Sequence, residues 1–549
     1  MTATAHVDTF AMDRLPAQQD WPELLFELPW LRYPPRINIA QALLQGAVER
    51  GHGERPAIFW DGGCWRYTEL LERAHGIAAI LRQQHGLVPG NRVLLRSANT
   101  PMMAACLLGV WLAGGIAVPT MPMLRAPELK TVIERARVDI ALCEASLGDE
   151  LRLAREGLDC PRALLLFDEH GLQGHENARP APGFEAVDTA ADDICLIAFT
   201  SGTTGKPKGT MHSHRDLLAA ADCFPRAILQ ASEHDIFTGT PPLAFTFGLG
   251  GLLLFPLRYG AATVLVARPT PEALLQAIEA RRATICFTAP TFYRQMAPLA
   301  SRFRLGSLRH AVSAGEHLPV ATRAAWEQAT GVRMVDGIGS TEMLHIFISA
   351  AGDAVRPGAT GKPVPGYRAC ILDDEGNPLP PGRIGRLAVK GPTGCRYLDD
   401  PRQHDYVQHG WNITGDAYEM DEDGYFWYRA RLDDMIISSG YNIAGPEVEA
   451  ALLQHPAVAE CAVVGWPDEA RGQIVKAYVV PRPGSMASEA LAAELQDFVK
   501  RSIAPYKYPR IIAFRETLPR TETGKLQRYK LRADASPGVA LPGARQEQA

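Results

Sequence analysis

The chain of 549 residues has no Cys-x-x-Cys pair, no marked excess of charge of either sign, and no long unbroken apolar run. Each absence excludes something. Ten cysteines are scattered singly from Cys64 to Cys461, which signals neither a zinc site nor a disulfide framework. Reduced thiols among apolar neighbours, as in Ile194-Cys195-Leu196, are expected instead. A formal net charge of −5 gives no electrostatic reason to expect nucleic acid or an acidic membrane as partner. The opening Met1-Thr2-Ala3-Thr4-Ala5-His6 lacks a basic segment followed by an apolar stretch, so no secretory signal is expected and the cytoplasm is the default location. Met102 to Met121 carries no charge, but Gly109, Gly114, Gly115 and Pro119 punctuate it. A buried helix followed by a buried strand fits that stretch better than a membrane span of roughly 20 residues.

What is there is an ordinary globular composition, 46% apolar and 21% charged, in a chain too long for one hydrophobic core. Before residue 430, strand-length apolar runs such as Arg92-Val93-Leu94-Leu95 and Ala262-Thr263-Val264-Leu265-Val266 alternate with helical stretches such as Pro271 to Arg281 and Leu318 to Thr330. That alternation predicts layered α/β structure with largely parallel sheets. After a turn at Asp373–Pro378, the text is β-rich to about Tyr428. From Arg431-Leu432-Asp433-Asp434 the texture changes: Cys461–Val464 and Val475–Val480 read as strands, Pro446–Gln454 and Ser488–Ser502 as helices. A large domain over 1–432 and a small α+β domain over 433–549 are expected, with a tail after Ala533 rich in Pro, Gly and Gln.

The most informative stretch is Thr200-Ser201-Gly202-Thr203-Thr204-Gly205-Lys206-Pro207-Lys208-Gly209, where four hydroxyls, three glycines and two lysines share one turn. Glycine lets backbone N–H groups approach an anion, hydroxyls add donors, and lysine adds charge. The pattern predicts a loop that grips a polyphosphate. It is not a Walker A loop, because the earlier glycine is missing and Pro207 stands where Ser or Thr is needed. Its flanks differ too: Ile194–Phe199 reads as a buried strand, Thr210-Met211-His212 as the returning strand, and a helix begins only afterwards, with Ser213 and Asp216 placed as a capping box.

That loop resembles the phosphate loop of adenylate-forming enzymes, the superfamily of acyl- and aryl-CoA synthetases, carrier-loading adenylation domains and firefly-type luciferases. Further motifs follow in the family's order over nearly the whole chain: Asp336-Gly337-Ile338-Gly339-Ser340-Thr341-Glu342, Thr414-Gly415-Asp416 with Arg431, and Leu518-Pro519-Arg520-Thr521-Glu522-Thr523-Gly524-Lys525. The resemblance implies ATP, Mg²⁺ and coenzyme A as cofactors. It places the phosphates on Thr200, Ser201, Gly202, Thr203, Thr204, Gly205 and Lys208, and the metal on Glu342 with Thr203. Thr341 would lie at the α-phosphate, Gly315, Glu316, Asp336 and Gly337 elsewhere around the nucleotide, and Asp416 and Arg431 on the ribose. Mg²⁺ prefers few carboxylates plus phosphate oxygens, so one glutamate is chemically sufficient. Read alone, Asp416 suits an ordinary turn beside Gly415, and Lys525 a solvated surface position; the surrounding motifs change both readings. Lys525 matches the mobile lysine that assists adenylation, Asp433 the hinge of the small domain, and Gly440 with Tyr441 the passage for the pantetheine arm. Arg471 is a further candidate on the CoA path.

For the acyl group, Phe245, Thr246, Phe247 and Gly248 sit where the family places an aromatic gate, and Ala289, Ala314, Ile338 and Gly339 complete the wall. Glycines and aromatics around a flat slot suit a planar ring better than a long alkyl chain. The string from Asp336 to Phe347 looks like that of benzoate-CoA ligases, and Ala5–Phe10 with Tyr33–Asn38 is most similar to 2-aminobenzoate-CoA ligases. His345 either meets an ortho substituent of the ring or is a satisfied core histidine. The expected partners are an aromatic carboxylate, ATP and CoA, with a homodimer admitted and neither nucleic acid nor membrane expected. Rival readings are an enzyme that loads a carrier protein or uses a fatty or hydroxyaryl acid, and a non-catalytic nucleotide sensor, against which Lys525 and Glu342 both speak.

Overall fold

The computed structural model describes residues 3–175, 184–200, 207–438, 441–468, 471–520, 526–534 and 539–540. The uncharged stretch starts as a helix because the Thr100 hydroxyl caps the N–H of Met103 and Pro101 fills the first helical position. That helix, Pro101–Leu112, is buried along its whole length and returns into the buried strand Ile116–Thr120. The helix-then-strand expectation holds here, and among the described residues no helix is long and apolar enough to cross a membrane.

Ile116–Thr120 lies inside a seven-stranded sheet, parallel to Arg92–Arg96 on one side and to Ile194–Thr200 (β1) on the other. β1 pairs antiparallel with Lys208–Ser213 (β2), Thr200 opposite Lys208 and Phe199 opposite Gly209. β2 then enters the helix His214–Ala227 (α1). Ser213 accepts from the N–H of Asp216, and the Asp216 carboxylate accepts from the N–H of Ser213, the expected capping box.

The second sheet is nine-stranded. At its centre Ile236–Gly239 (β3), Ile285–Thr288 (β4), His310–Ser313 (β5) and Met334–Gly339 (β6) run parallel and adjacent in that order. Thr288, Ser313 and Asp336 fall in one cross-strand row at the carboxyl ends. Open parallel sheets bind ligands beyond those ends, and Ala289, Ala314, Gly315 and Ile338 follow there. One contiguous apolar core joins both sheets and includes Trp111, Leu217, Phe224, Phe237 and Phe287.

A five-stranded antiparallel sheet contains Trp411–Met420 (β7) and Phe426–Arg431 (β8), with Asp416 opposite Arg431. The last sheet begins at Ile436–Ser438 and is built around the long hairpin of Val458–Asp468 (β9) and Gly472–Pro481 (β10). The helices Gly445–Leu452 and Glu489–Ser502 share a separate core with it through Val448, Val463, Val475 and Leu495. The α/β class and the layered large region with a smaller α+β unit are as expected. The helix expected from Leu318 starts at Val320, because Pro319 is its N-cap and disfavours helical geometry in the residue before it. All ten cysteines are free thiols, six of them buried.

Candidate active site

The hairpin of β1 and β2 presents Thr200 and Lys208 as a facing pair at the end where segment 201–207 joins the two strands. Ser201, Gly202, Thr203, Thr204 and Gly205 lie outside the described residues, as do Gly440 and Lys525. The Thr200 hydroxyl is buried and has no hydrogen-bond partner among the described residues. Lys208 Nζ donates to the Tyr397 hydroxyl at 2.7 Å, and that hydroxyl donates to Glu342 Oε1 at 2.6 Å. Lys208 and Glu342 are themselves 3.5 Å apart. Burial and the Glu342 charge together push the Tyr397 phenol far above its ordinary range, so it stays a neutral bridge between cation and carboxylate. Both of these Glu342 contacts use Oε1. A single buried carboxylate of this kind, beside the β1–β2 hairpin, fits a Mg²⁺ ion that takes its remaining ligands from phosphate and water.

Thr341 is tied to the same hairpin. His212, on β2, donates from Nε2 to the Thr341 carbonyl at 2.8 Å, and burial lowers the imidazole to about 4, keeping it neutral. Ser340 Oγ lies 3.0 Å from the Tyr406 hydroxyl and accepts from the N–H of Met343. The chain then turns through Leu344, whose φ of +70° is rare for a bulky residue, and delivers His345 to the opposite side.

His345 stands in a cage of rings: Phe255 at 4.5 Å between centroids, Phe247 at 5.5 Å, Phe224 at 5.7 Å and Phe287 at 6.1 Å. Its Nε2 is 3.3 Å from the Phe247 carbonyl, and its Nδ1 is buried with no partner among the described residues. Burial lowers its pKa to about 3. Half of the satisfied-core reading is therefore met, and half is not. Phe245 precedes the short helix Thr246–Leu249, which carries Thr246, Phe247 and Gly248 into the interior. Gly250 is required just beyond it, since a Cβ there would lie 2.4 Å from His345 Cδ2. Gly339 is required too, because its Cβ would meet the His345 carbonyl at 2.6 Å.

At the carboxyl ends of β5 and β6, the Ser313 hydroxyl and Asp336 Oδ1 are buried neighbours without partners among the described residues. Burial raises the Asp336 carboxyl to about 7, with the Arg323 guanidinium pulling the other way. Beyond Gly315, Glu316 accepts from Thr291 Oγ1 at 2.7 Å and pairs with Arg520 at 3.1 Å. Asp416 and Arg431 form an ion pair of 3.1 Å across β7 and β8. Tyrosines connect these groups: the field of both Glu342 and Asp416 acts on Tyr406, and that of both Asp416 and Asp336 acts on Tyr418. Arg471 stands apart at the tip of the β9–β10 hairpin, where its N–H donates to Asp468. Asp433 lies in the turn Leu432–Asp434 and Tyr441 opens the strand Tyr441–Ile443. Tyr397, Tyr406, His212 and Arg520 carry the site's geometry without having been singled out for it; Arg520 alone sat inside a recognised motif.

Residues 45–396 match the AMP-binding enzyme family, and residues 447–525 match the AMP-binding enzyme C-terminal domain. The chain belongs to this family. The expected place of this AMP-binding enzyme in the adenylate-forming superfamily holds, and with it the expected use of ATP, Mg²⁺ and CoA. It is similar to the benzoate–CoA ligase of Thauera aromatica, 37% identical over 516 residues that cover 92% of this chain and 97% of that one. The human mitochondrial acyl-coenzyme A synthetase ACSM5 is 35% identical over 530 residues, 91% of either chain. The crystal structure of the anthranilate CoA ligase AuaEII in complex with anthranoyl-AMP superposes with a TM-score of 0.85 at 33% identity, covering 91% of this chain and 98% of that one.

Proposed function

We propose that this AMP-binding enzyme is an aryl-CoA ligase of the cytoplasm. It would convert an aromatic carboxylate of the 2-aminobenzoate or benzoate kind, with ATP and CoA, to aryl-CoA, AMP and pyrophosphate. The observation that carries the reading is one turn of chain. Glu342 faces the phosphate hairpin, and three residues later His345 enters a cage of four phenylalanine rings. A planar acid seated near that cage would have its carboxylate directed toward the triphosphate. The benzoate and anthranilate ligases among the relatives support the same choice.

In the first half-reaction, the aryl carboxylate attacks the α-phosphorus of ATP and pyrophosphate leaves. Lys208 and the hydroxyls of the phosphate loop, from Thr200 through Thr204, hold the phosphates, while Asp416 and Arg431 hold the ribose. Asp336 and Gly315 border the base. Glu342 with Thr203 would hold Mg²⁺, which would neutralise phosphate charge. Lys525 adds a cation where charge develops in the transition state. The 1–432 and 433–549 units then turn about Asp433, which withdraws Lys525 and brings Gly440, Tyr441 and Arg471 to the CoA side. The CoA thiol attacks the mixed anhydride and AMP departs.

The test is release of AMP from ATP by the purified protein with benzoate, 2-aminobenzoate, salicylate and medium-chain fatty acids, each with CoA or with a holo-carrier protein as acceptor. Aryl acids with CoA are expected to lead. Preference for a fatty acid or for the carrier would overturn the assignment.

A further inference from the structure

Four charged side chains link the small unit to the large one in an alternating row. Arg294, on the helix Pro290–Met296, pairs through Nη2 with Glu460 Oε1 at 2.9 Å, and its Nη1 donates to the Ala459 carbonyl at 3.3 Å. Glu460 Oε2 in turn accepts from Arg520 Nη2 at 3.1 Å, and Arg520 Nη1 reaches Glu316 Oε1 at 3.1 Å. Glu316 closes the row on Thr291, one turn before Arg294 on the same helix, accepting from its hydroxyl at 2.7 Å and its N–H at 3.3 Å. The large unit thus supplies both outer members and the small unit both inner ones. All four side chains are partly shielded, 16% to 29% exposed. A single surface pair would hold little, but a connected row with two guanidinium forks fixes orientation as well as distance.

The position of the row gives it consequence. Arg520 pairs with Leu526 as an isolated antiparallel bridge, and the N–H of Gln527 donates to the Pro519 carbonyl, so the two flanks of segment 521–525 are held together. Glu316 directly follows Gly315 at the carboxyl end of β5, on the nucleotide side of the sheet. The flanks of the segment that bears Lys525 are therefore tethered to the edge of the nucleotide site.

We propose that Arg294, Glu460, Arg520 and Glu316 form an electrostatic clamp that holds the small unit in the orientation for adenylation. Arg294 and Glu460 act in it as positioning residues for the first half-reaction alone. The clamp rests on the two-step reading above and must open before CoA is used.

The experiment measures two activities separately. One is acid-dependent exchange of labelled pyrophosphate into ATP, and the other is thioester formation from CoA and the supplied adenylate of whichever acid exchanges fastest. Arg294→Glu is expected to slow exchange tenfold or more while thioester formation stays within twofold, and Glu460→Gln to show the same split more mildly. Arg294→Lys, which keeps the charge, is expected to stay within about threefold in both. Salt is expected to slow exchange in the unaltered protein more than in Arg294→Glu. Equal loss in both half-reactions, or unchanged exchange in both Arg294→Glu and Glu460→Gln, would overturn the clamp. Absence of exchange in the unaltered protein with every acid would overturn the adenylation reading and the clamp together.

Discussion

Tyr397 shows how much one hydroxyl can organise. It accepts from Lys208 and donates to Glu342, so the Lys208 cation and the Glu342 carboxylate share one neutral bridge. Removing the bridge leaves Lys208 and Glu342 3.5 Å apart and free to collapse onto each other. Hydrogen bonds to charged groups are worth about 1.5–3 kcal/mol, and so Tyr397→Phe should lower kcat/KM for MgATP by about ten- to a hundredfold. Steady-state kinetics check this, with thermal melting to show that the fold survives; a change under twofold would remove Tyr397 from the site. Nothing in Arg396-Tyr397-Leu398-Asp399-Asp400 announces that role, because the tyrosine works through partners 189 and 55 residues away in sequence. Lys208 and Glu342 were legible from their own motifs, and what stayed hidden was the residue that joins them.

At the scale of elements, what could be read locally was read well. The Ser213–Asp216 capping box, the helix Pro271–Arg281 and the helix-then-strand of the uncharged stretch all follow from signals within a few residues. Strand adjacency is a different matter. The row Thr288–Ser313–Asp336 exists because three parallel strands align, and no local pattern in any one of them fixes that register. The turn from Thr341 to His345 also depends on distant segments, since Gly250 must leave room for the imidazole. Gly250→Ala adds a carbon within 2.4 Å of His345 Cδ2 and must displace that ring or its own helix. A misplacement of about 1 Å at a reacting ligand costs up to roughly a hundredfold, so the expected result is a rise of about tenfold or more in KM for the aromatic acid with KM for ATP little changed. Equal effects on both substrates would indicate general loosening and contradict the placement of His345 beside the acyl pocket.

The whole molecule carries a pH signature of its buried groups. Burial lowers His212 to about 4 and both His214 and His345 to about 3, while it raises Asp336 to about 7. Between pH 6.5 and 5 the unfolded chain takes up protons at these histidines that the folded chain does not. Asp336 works the other way, holding a proton in the folded state that the unfolded chain lacks. Burial likewise lowers His310 and His317 to about 4, so the histidine protons taken up on unfolding outnumber the one that Asp336 releases, and stability falls as the pH drops through this window. Thermal melts at matched ionic strength are expected to shift downward from pH 6.5 to 5; a flat or rising midpoint would contradict the neutral burial of these histidines. Domain docking, by contrast, is invisible in any single stretch, since Arg294 and Glu460 meet only when the two units are assembled. The account as a whole stands on a carboxylic acid meeting ATP in the site between the β1–β2 hairpin and the cage around His345. Exchange of labelled pyrophosphate into ATP tests this most directly: the protein should catalyse it without CoA, only when an aromatic acid is present, and Lys525→Ala should abolish it. Exchange that ignores the acid, or that persists undiminished in Lys525→Ala, would contradict the account.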